Sequence, residues 1–138
     1  MTDLSDLVTP DSIYPDISRT YTIAGRAWTP RNYSGRYDGK PYSLRDALAH
    51  SINSIAVAVA ALVGPDRVEE FARRVGIDSP LTVGLPLALG ASSVTPLELT
   101  NAYATIAAGG VRRPPILVTR IVGRDGKVQR VVLYESRA

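Results

Sequence analysis

The chain contains no cysteine, one histidine and only two lysines. Without cysteine there can be no disulfide and no thiolate metal site. A single histidine leaves too few ligands for a zinc site, so no metal is expected. A glycine-rich phosphate loop is also missing. Gly84-Leu-Pro-Leu-Ala-Leu-Gly90 has the glycines, but apolar residues fill the gap and no Lys-Ser or Lys-Thr follows. No cofactor is therefore expected. Sixteen basic residues stand against thirteen acidic ones, a net charge of +3, and they are scattered. There is no block of like charge and no basic stripe interleaved with aromatics, which argues against nucleic acid as a partner. The longest apolar run, Ile55–Val63, is far short of the ~20 residues that cross a bilayer. Met1–Leu7 has neither the basic start nor the apolar core of a signal peptide. As it stands, the chain is expected to be soluble.

What is present is a globular composition. The 138 residues are 45% hydrophobic and 21% charged, enough for one domain or part of one. Three textures follow one another. Residues 1–42 are rich in turn formers and aromatics and read as an irregular arm of short extended pieces, with Arg19–Ile23 the best strand. Residues 43–110 read as a helical core. Ser43 followed by Asp46 resembles a capping box, and Leu44, Ala47 and Leu48 share one face. Gly64-Pro65-Asp66 opens another helix, with Val68, Phe71, Ala72 and Val75 as its apolar stripe and Gly76 at its end. Thr95-Pro-Leu-Glu98 has the form of a full cap: threonine at N-cap, proline at N1, glutamate at N3. Leu99, Ala102, Tyr103 and Ile106 would line the buried face behind it, and Gly109-Gly110 would stop it. Residues 111–138 change period: Asp125-Gly126 between β-branched runs, Val131, Val132 and Leu133 included, predicts a hairpin with a two-residue turn. The fold class expected is mainly α (α+β), a helical cluster with a C-terminal β-hairpin.

Few residues offer chemistry. His50 adjoins Ser51, but adjacent helical residues point about 100° apart, so His50 is not placed to act as its base. No Gly-x-Ser-x-Gly elbow occurs, and Glu69-Glu70 read as a solvated helix face. Ser51-Ile52-Asn53 falls where one apolar helical segment ends and the next, from Ile55, begins. Two polar side chains two residues apart at such a junction can point into one cleft. They can equally be caps that satisfy loose helix-end groups. If Ile55–Val63 is helical, its apolar residues cover nearly the whole circumference, and burial is expected.

The longer pattern bears on that choice. Trp28–Gly39 (Trp-Thr-Pro-Arg-Asn-Tyr-Ser-Gly-Arg-Tyr-Asp-Gly), Ser43–Asn53, Val63–Ile77, Leu87–Leu99 and Ala102–Gly110 together resemble the transpeptidase domain of class A penicillin-binding proteins, the bifunctional peptidoglycan synthases. That family builds its site from Ser-x-x-Lys, which carries the nucleophile, then Ser-x-Asn, then Lys-Thr-Gly. Only the second motif is here. Tyr37 stands three before Lys40 and Arg124 three before Lys127, and Pro41 and Val128 follow the lysines, so neither lysine fits either of the other motifs. The resemblance implies an internal piece, 1–138, of a D,D-transpeptidase domain that cross-links stem peptides by serine acyl transfer and binds β-lactams. It implies that Ser51 is a proton shuttle and that Asn53 contacts the substrate amide and the site lysine. It further implies a membrane-anchored, extracytoplasmic parent in the bacterial envelope. The piece alone would be inactive, and surface left uncovered would favour self-association. Ser54-Ile55 depart from the family's usual proline or bulky aliphatic residue, and His50 stands where arginine or glutamate is common. The rival expectation is a non-catalytic binding module or degenerate relative that binds a cell-wall partner.

Overall fold

The computed structural model describes residues 8–116, 118 and 120–130. It is a mixed α+β structure with more helix than strand. Two compact units make it up. One is built on residues up to Glu70 and on Pro80–Ser93, the other on Phe71–Ser79 and residues from Val94 onward.

The first unit begins with paired strands. β1 (Ile13–Pro15) runs antiparallel to β4 (Pro41–Ser43), with Tyr14 opposite Tyr42. Backbone bonds extend the pairing at both ends, from Arg45 N to the Pro10 carbonyl and from Asp16 N to the Lys40 carbonyl. β2 (Tyr21–Ile23) and β3 (Arg26–Trp28) form a tight hairpin between them. Ala24 and Gly25 turn it, both at positive φ (47° and 76°), as a two-residue turn matched to the strand twist requires. The arm expected to be irregular is thus held by two small ladders, and the strand anticipated over Arg19–Ile23 is β2.

β4 leads directly into α1 (Leu44–Ala49). Ser43 caps it: its hydroxyl accepts from Asp46 N at 3.0 Å and donates to the Asp46 carboxylate at 2.7 Å. α2 (Asn53–Val63) follows, and a 3-10 helix (Leu85–Leu89) packs along it. Ala47, Ile55, Val57 and Ala60 form this unit's core. α2 is not buried all round. Ser54, Ile55, Val57 and Ala60 face inward, whereas Ala56, Ala61 and Leu62 are exposed, because the unit packs on only part of the helix. Leu48, expected on the buried face of α1, is 82% exposed.

α3 (Pro65–Val75) starts at the proline and stops at Gly76, whose φ of 109° suits glycine alone. None of its residues is fully buried, and Phe71 of the anticipated stripe is largely exposed. In the second unit, α4 (Pro96–Ala107) carries the complete capping box read from the sequence. Its buried face differs from the one expected. Ala102 and Thr105 are buried, while Leu99, Tyr103 and Ile106 are exposed. The cause is polar: Glu98 binds Asp78 and Ser79, and Thr105 donates to the Asn101 carbonyl beneath Val75. Those anchors turn the Glu98–Ala102–Thr105 face toward residues 75–79. β5 (Ile121–Val122) and β6 (Val128–Arg130) form the C-terminal hairpin. Its loop is longer than the two residues expected. Gly123 N bonds to the Lys127 carbonyl, Gly126 N bonds back to the Gly123 carbonyl, and only Gly126 has positive φ (77°). This is a three-residue loop ending in a left-handed glycine. Val131, Val132 and Leu133 lie outside the described residues.

Candidate functional site

The junction between α1 and α2 is set by backbone bonds. Ser51 N reaches the Leu48 carbonyl at 3.1 Å and Ile52 N reaches the Ala47 carbonyl at 2.9 Å. Those two bonds, with Ser51 in the left-handed region at φ 53°, make a Schellman end. Glycine is the usual occupant of that position. A side-chain-bearing residue there costs about 1 kcal/mol. The Ser51 hydroxyl makes no hydrogen bond to any described residue, so it does not offset that cost by capping. α2 starts two residues later, at Asn53.

Ser51 and Asn53 both line an open groove of about 370 Å³, walled by Leu44, Leu48, Ile55, Val59 and Leu89. Ser51 is exposed and Asn53 half-buried. Ser51 also borders a second cavity of about 360 Å³, with Asp16, Asn32, Arg36, Tyr42 and His50. Asn53 does not cap α2. Its Nδ2 donates instead to the Arg31 carbonyl at 2.8 Å, across a separation of 22 residues, and its Oδ1 has no partner among the described residues. His50 directs Nδ1 at the Asp46 carbonyl of its own helix, 2.8 Å away. No hydrogen bond joins His50 to Ser51.

Beside these residues is a charged network. Asp16 is 4% exposed. Its carboxylate accepts from Ser54 Oγ at 2.6 Å, from Asn32 Nδ2 at 2.8 and 3.0 Å, and from Asp38 N at 3.1 Å. Asn32 passes the link on: its Oδ1 accepts Ser54 N, an orphan donor of α2's first turn, at 3.1 Å. Burial pushes the Asp16 carboxyl upward, but the bonds from Ser54, Asn32 and Asp38 outweigh it and hold the group below its ordinary 3.8. Nearby, Tyr42 donates to Asp38 at 2.6 Å, which lowers the Asp38 carboxyl and raises the phenol. The only hint in the sequence was Asn32 within the Trp28–Gly39 stretch, and nothing there marked Asp16 as its partner.

In the second unit Glu98 gathers five donors. Ser79 Oγ is at 2.6 Å, Ser79 N at 2.7 Å, Thr95 N and Oγ1 at 2.9 Å, and Asp78 N at 3.0 Å. Ser79's hydroxyl and the Thr95 amide lead in drawing its carboxyl down to about 2. Arg112 pairs with Asp78 at 3.5 Å beside it. Among the described residues no cluster of histidine and carboxylate groups is placed to hold a metal, and no helix is long and apolar enough to cross a membrane.

Comparison with known proteins agrees with the sequence resemblance. A family model described as the penicillin binding protein transpeptidase domain matches residues 5–136. Penicillin-binding protein 2D of Bacillus subtilis is 38% identical over 112 residues, 81% of this chain and 16% of that protein. Penicillin-binding protein 1A of Aquifex aeolicus is 39% identical over 128 residues, 93% of this chain and 17% of the relative. In structure, penicillin-binding protein 1A from Haemophilus influenzae superposes with a TM-score of 0.81 at 35% identity, covering 91% of this chain and 19% of the other. The chain thus spans under a fifth of the length of these relatives. With a family model matched along nearly its whole length, the chain belongs to the penicillin binding protein transpeptidase domain family.

Proposed function

We propose that this chain supplies the Ser51-Ile52-Asn53 wall of the active site of a peptidoglycan D,D-transpeptidase. Such an enzyme cross-links stem peptides by serine acyl transfer and is acylated by β-lactams. The nucleophile and its lysine come from outside these 138 residues, which hold no Ser-x-x-Lys. Residues 1–42, 43–110 and 111–138 are segments of that one partial domain. The parent protein sits in the bacterial envelope, anchored in the membrane.

The observation that carries this reading is the conformation of Ser51. It occupies a glycine position, leaves its hydroxyl without a partner among the described residues, and shares one groove with Asn53. A residue held in an unfavourable backbone region without a local hydrogen bond in return points to a role in function. Ser51 passes a proton between the site lysine and the leaving amine. Asn53, its amide orientation set by the Arg31 carbonyl, keeps Oδ1 for the lysine ammonium and its second N–H for the acyl-side carbonyl of the substrate. Leu48 and Leu89 expose apolar surface along the same groove, which supports self-association of the isolated chain.

The test is Asn53→Ala in the full-length protein, with acylation by a fluorescent penicillin followed in time. Loss of a hydrogen bond in a desolvated site slows acylation roughly ten- to a hundredfold. Wild-type acylation kinetics in a folded Asn53→Ala protein would remove Asn53 from the site.

A further inference from the structure

We infer that Asp16 is a positioning residue for the Ser51–Asn53 site, acting through Asn32 and Ser54. The inference rests on the proposed function and extends it to residues that touch no substrate.

α2 starts without a cap of its own. Its N-cap is Ile52, which has no side-chain acceptor, and no side chain caps the helix locally. Ile52 lies between Ser51 and Asn53 and lines both cavities. A serine or aspartate at that position would place a competing acceptor between the two polar side chains. The first turn is therefore held from a distance. Asn32 Oδ1 takes the Ser54 amide, and Asp16 takes the Ser54 hydroxyl across 38 residues of sequence. A negative charge at a helix N-terminus is also favourable in itself.

The same network reaches Asn53 by a second route. Asp16 grips Asn32 with both carboxylate oxygens, and Asn32 also donates to the Arg36 carbonyl, so its place is fixed from two sides. The residue before it, Arg31, presents the carbonyl that holds Asn53 Nδ2. Asp16 thus sets both the helix that carries Asn53 and the carbonyl that orients its amide. A carboxylate in this position answers a geometric need, because one group must accept from a hydroxyl, an amide side chain and a backbone N–H together.

The experiment compares Asp16→Asn, Ser54→Ala and Asn53→Ala with wild type in the full-length protein. Fluorescent penicillin acylation is resolved into its amplitude, its initial non-covalent binding constant and its first-order acylation rate. For Asp16→Asn the expected result is full amplitude, unchanged initial binding and a rate lowered roughly ten- to a hundredfold. Ser54→Ala gives a smaller fall of the same kind and carries the test should Asp16→Asn fail to fold. A reduced amplitude with a wild-type rate in the remaining fraction would make Asp16 a fold residue only and overturn the inference. So would wild-type rates in both variants while Asn53→Ala is slow. If Asn53→Ala itself is wild type, the proposed site fails and this inference falls with it.

Discussion

Two helices in this molecule start in opposite ways. α4 starts on local chemistry. Thr95, Pro96 and Glu98 lie within four residues of one another, and each satisfies or dispenses with an orphan N–H of the first turn. α2 starts on distant chemistry. Its N-cap is an isoleucine; the Ser54 N–H of its first turn is met by Asn32, 22 residues earlier, and the Ser54 hydroxyl by Asp16, 38 residues earlier. A helix end that lacks a local cap is here held from elsewhere in the fold: with Ile52 at the N-cap and Asn53 bonded to the Arg31 carbonyl, the arm of residues 10–40 supplies the acceptors for Ser54.

The largest effect on the distant start is expected at Asp16. Asp16→Ala leaves the Ser54 hydroxyl, the Asn32 amide and the Asp38 N–H without their acceptor in a buried place. A loss of about 3 kcal/mol in unfolding free energy is expected, read by urea denaturation of the chain. A loss below about 1 kcal/mol would mean that water replaces the carboxylate readily and that the distant start is no stronger than a local one.

Glu98 should come next. Glu98→Gln removes the charge from a group of five donors and is expected to cost about 1.5 kcal/mol at neutral pH. The pH dependence follows from its carboxyl lying at about 2 when folded against an ordinary 4.5. A lowered folded value means that its stabilisation is complete above the unfolded value. It is lost as pH falls from about 4.5 through about 2. Urea midpoints across that range should fall less steeply in Glu98→Gln than in wild type, and parallel curves would contradict the assignment. Thr95→Ala removes the capping hydroxyl together with its γ-methyl and should cost about 1 kcal/mol, the ordinary value for a threonine N-cap.

These two ends also mark what could be read from sequence. α4's cap lies in four consecutive residues, and α3 is bounded by a proline at its first position and a glycine just past its last; all were legible. The Ser51–Asn53 junction was legible as a boundary, because the apolar pattern breaks there. The network behind it was not, because hydrogen bonds between residues 16, 32 and 54 leave no periodic trace. The exposed Leu99, Tyr103 and Ile106 were misread for a related reason. Apolar periodicity marks a face, but Glu98's bonds to Ser79 decided which face of α4 turns inward. The hairpin's turn residues were legible, whereas its three-residue loop depends on the backbone at Arg124 and Asp125, which composition does not fix.

In the proposed function, Ser51 is kept in a glycine's conformation for its hydroxyl. Ser51→Gly should then move fold and function apart. The account predicts that the chain's unfolding free energy is unchanged or rises by up to about 1 kcal/mol, since glycine relieves the left-handed backbone. It predicts that penicillin acylation of the full-length protein falls at least tenfold, a loss typical of removing a proton-transfer group. A glycine variant that acylates at the wild-type rate, or one that loses stability by more than about 1 kcal/mol because the hydroxyl was a structural cap, would contradict the account.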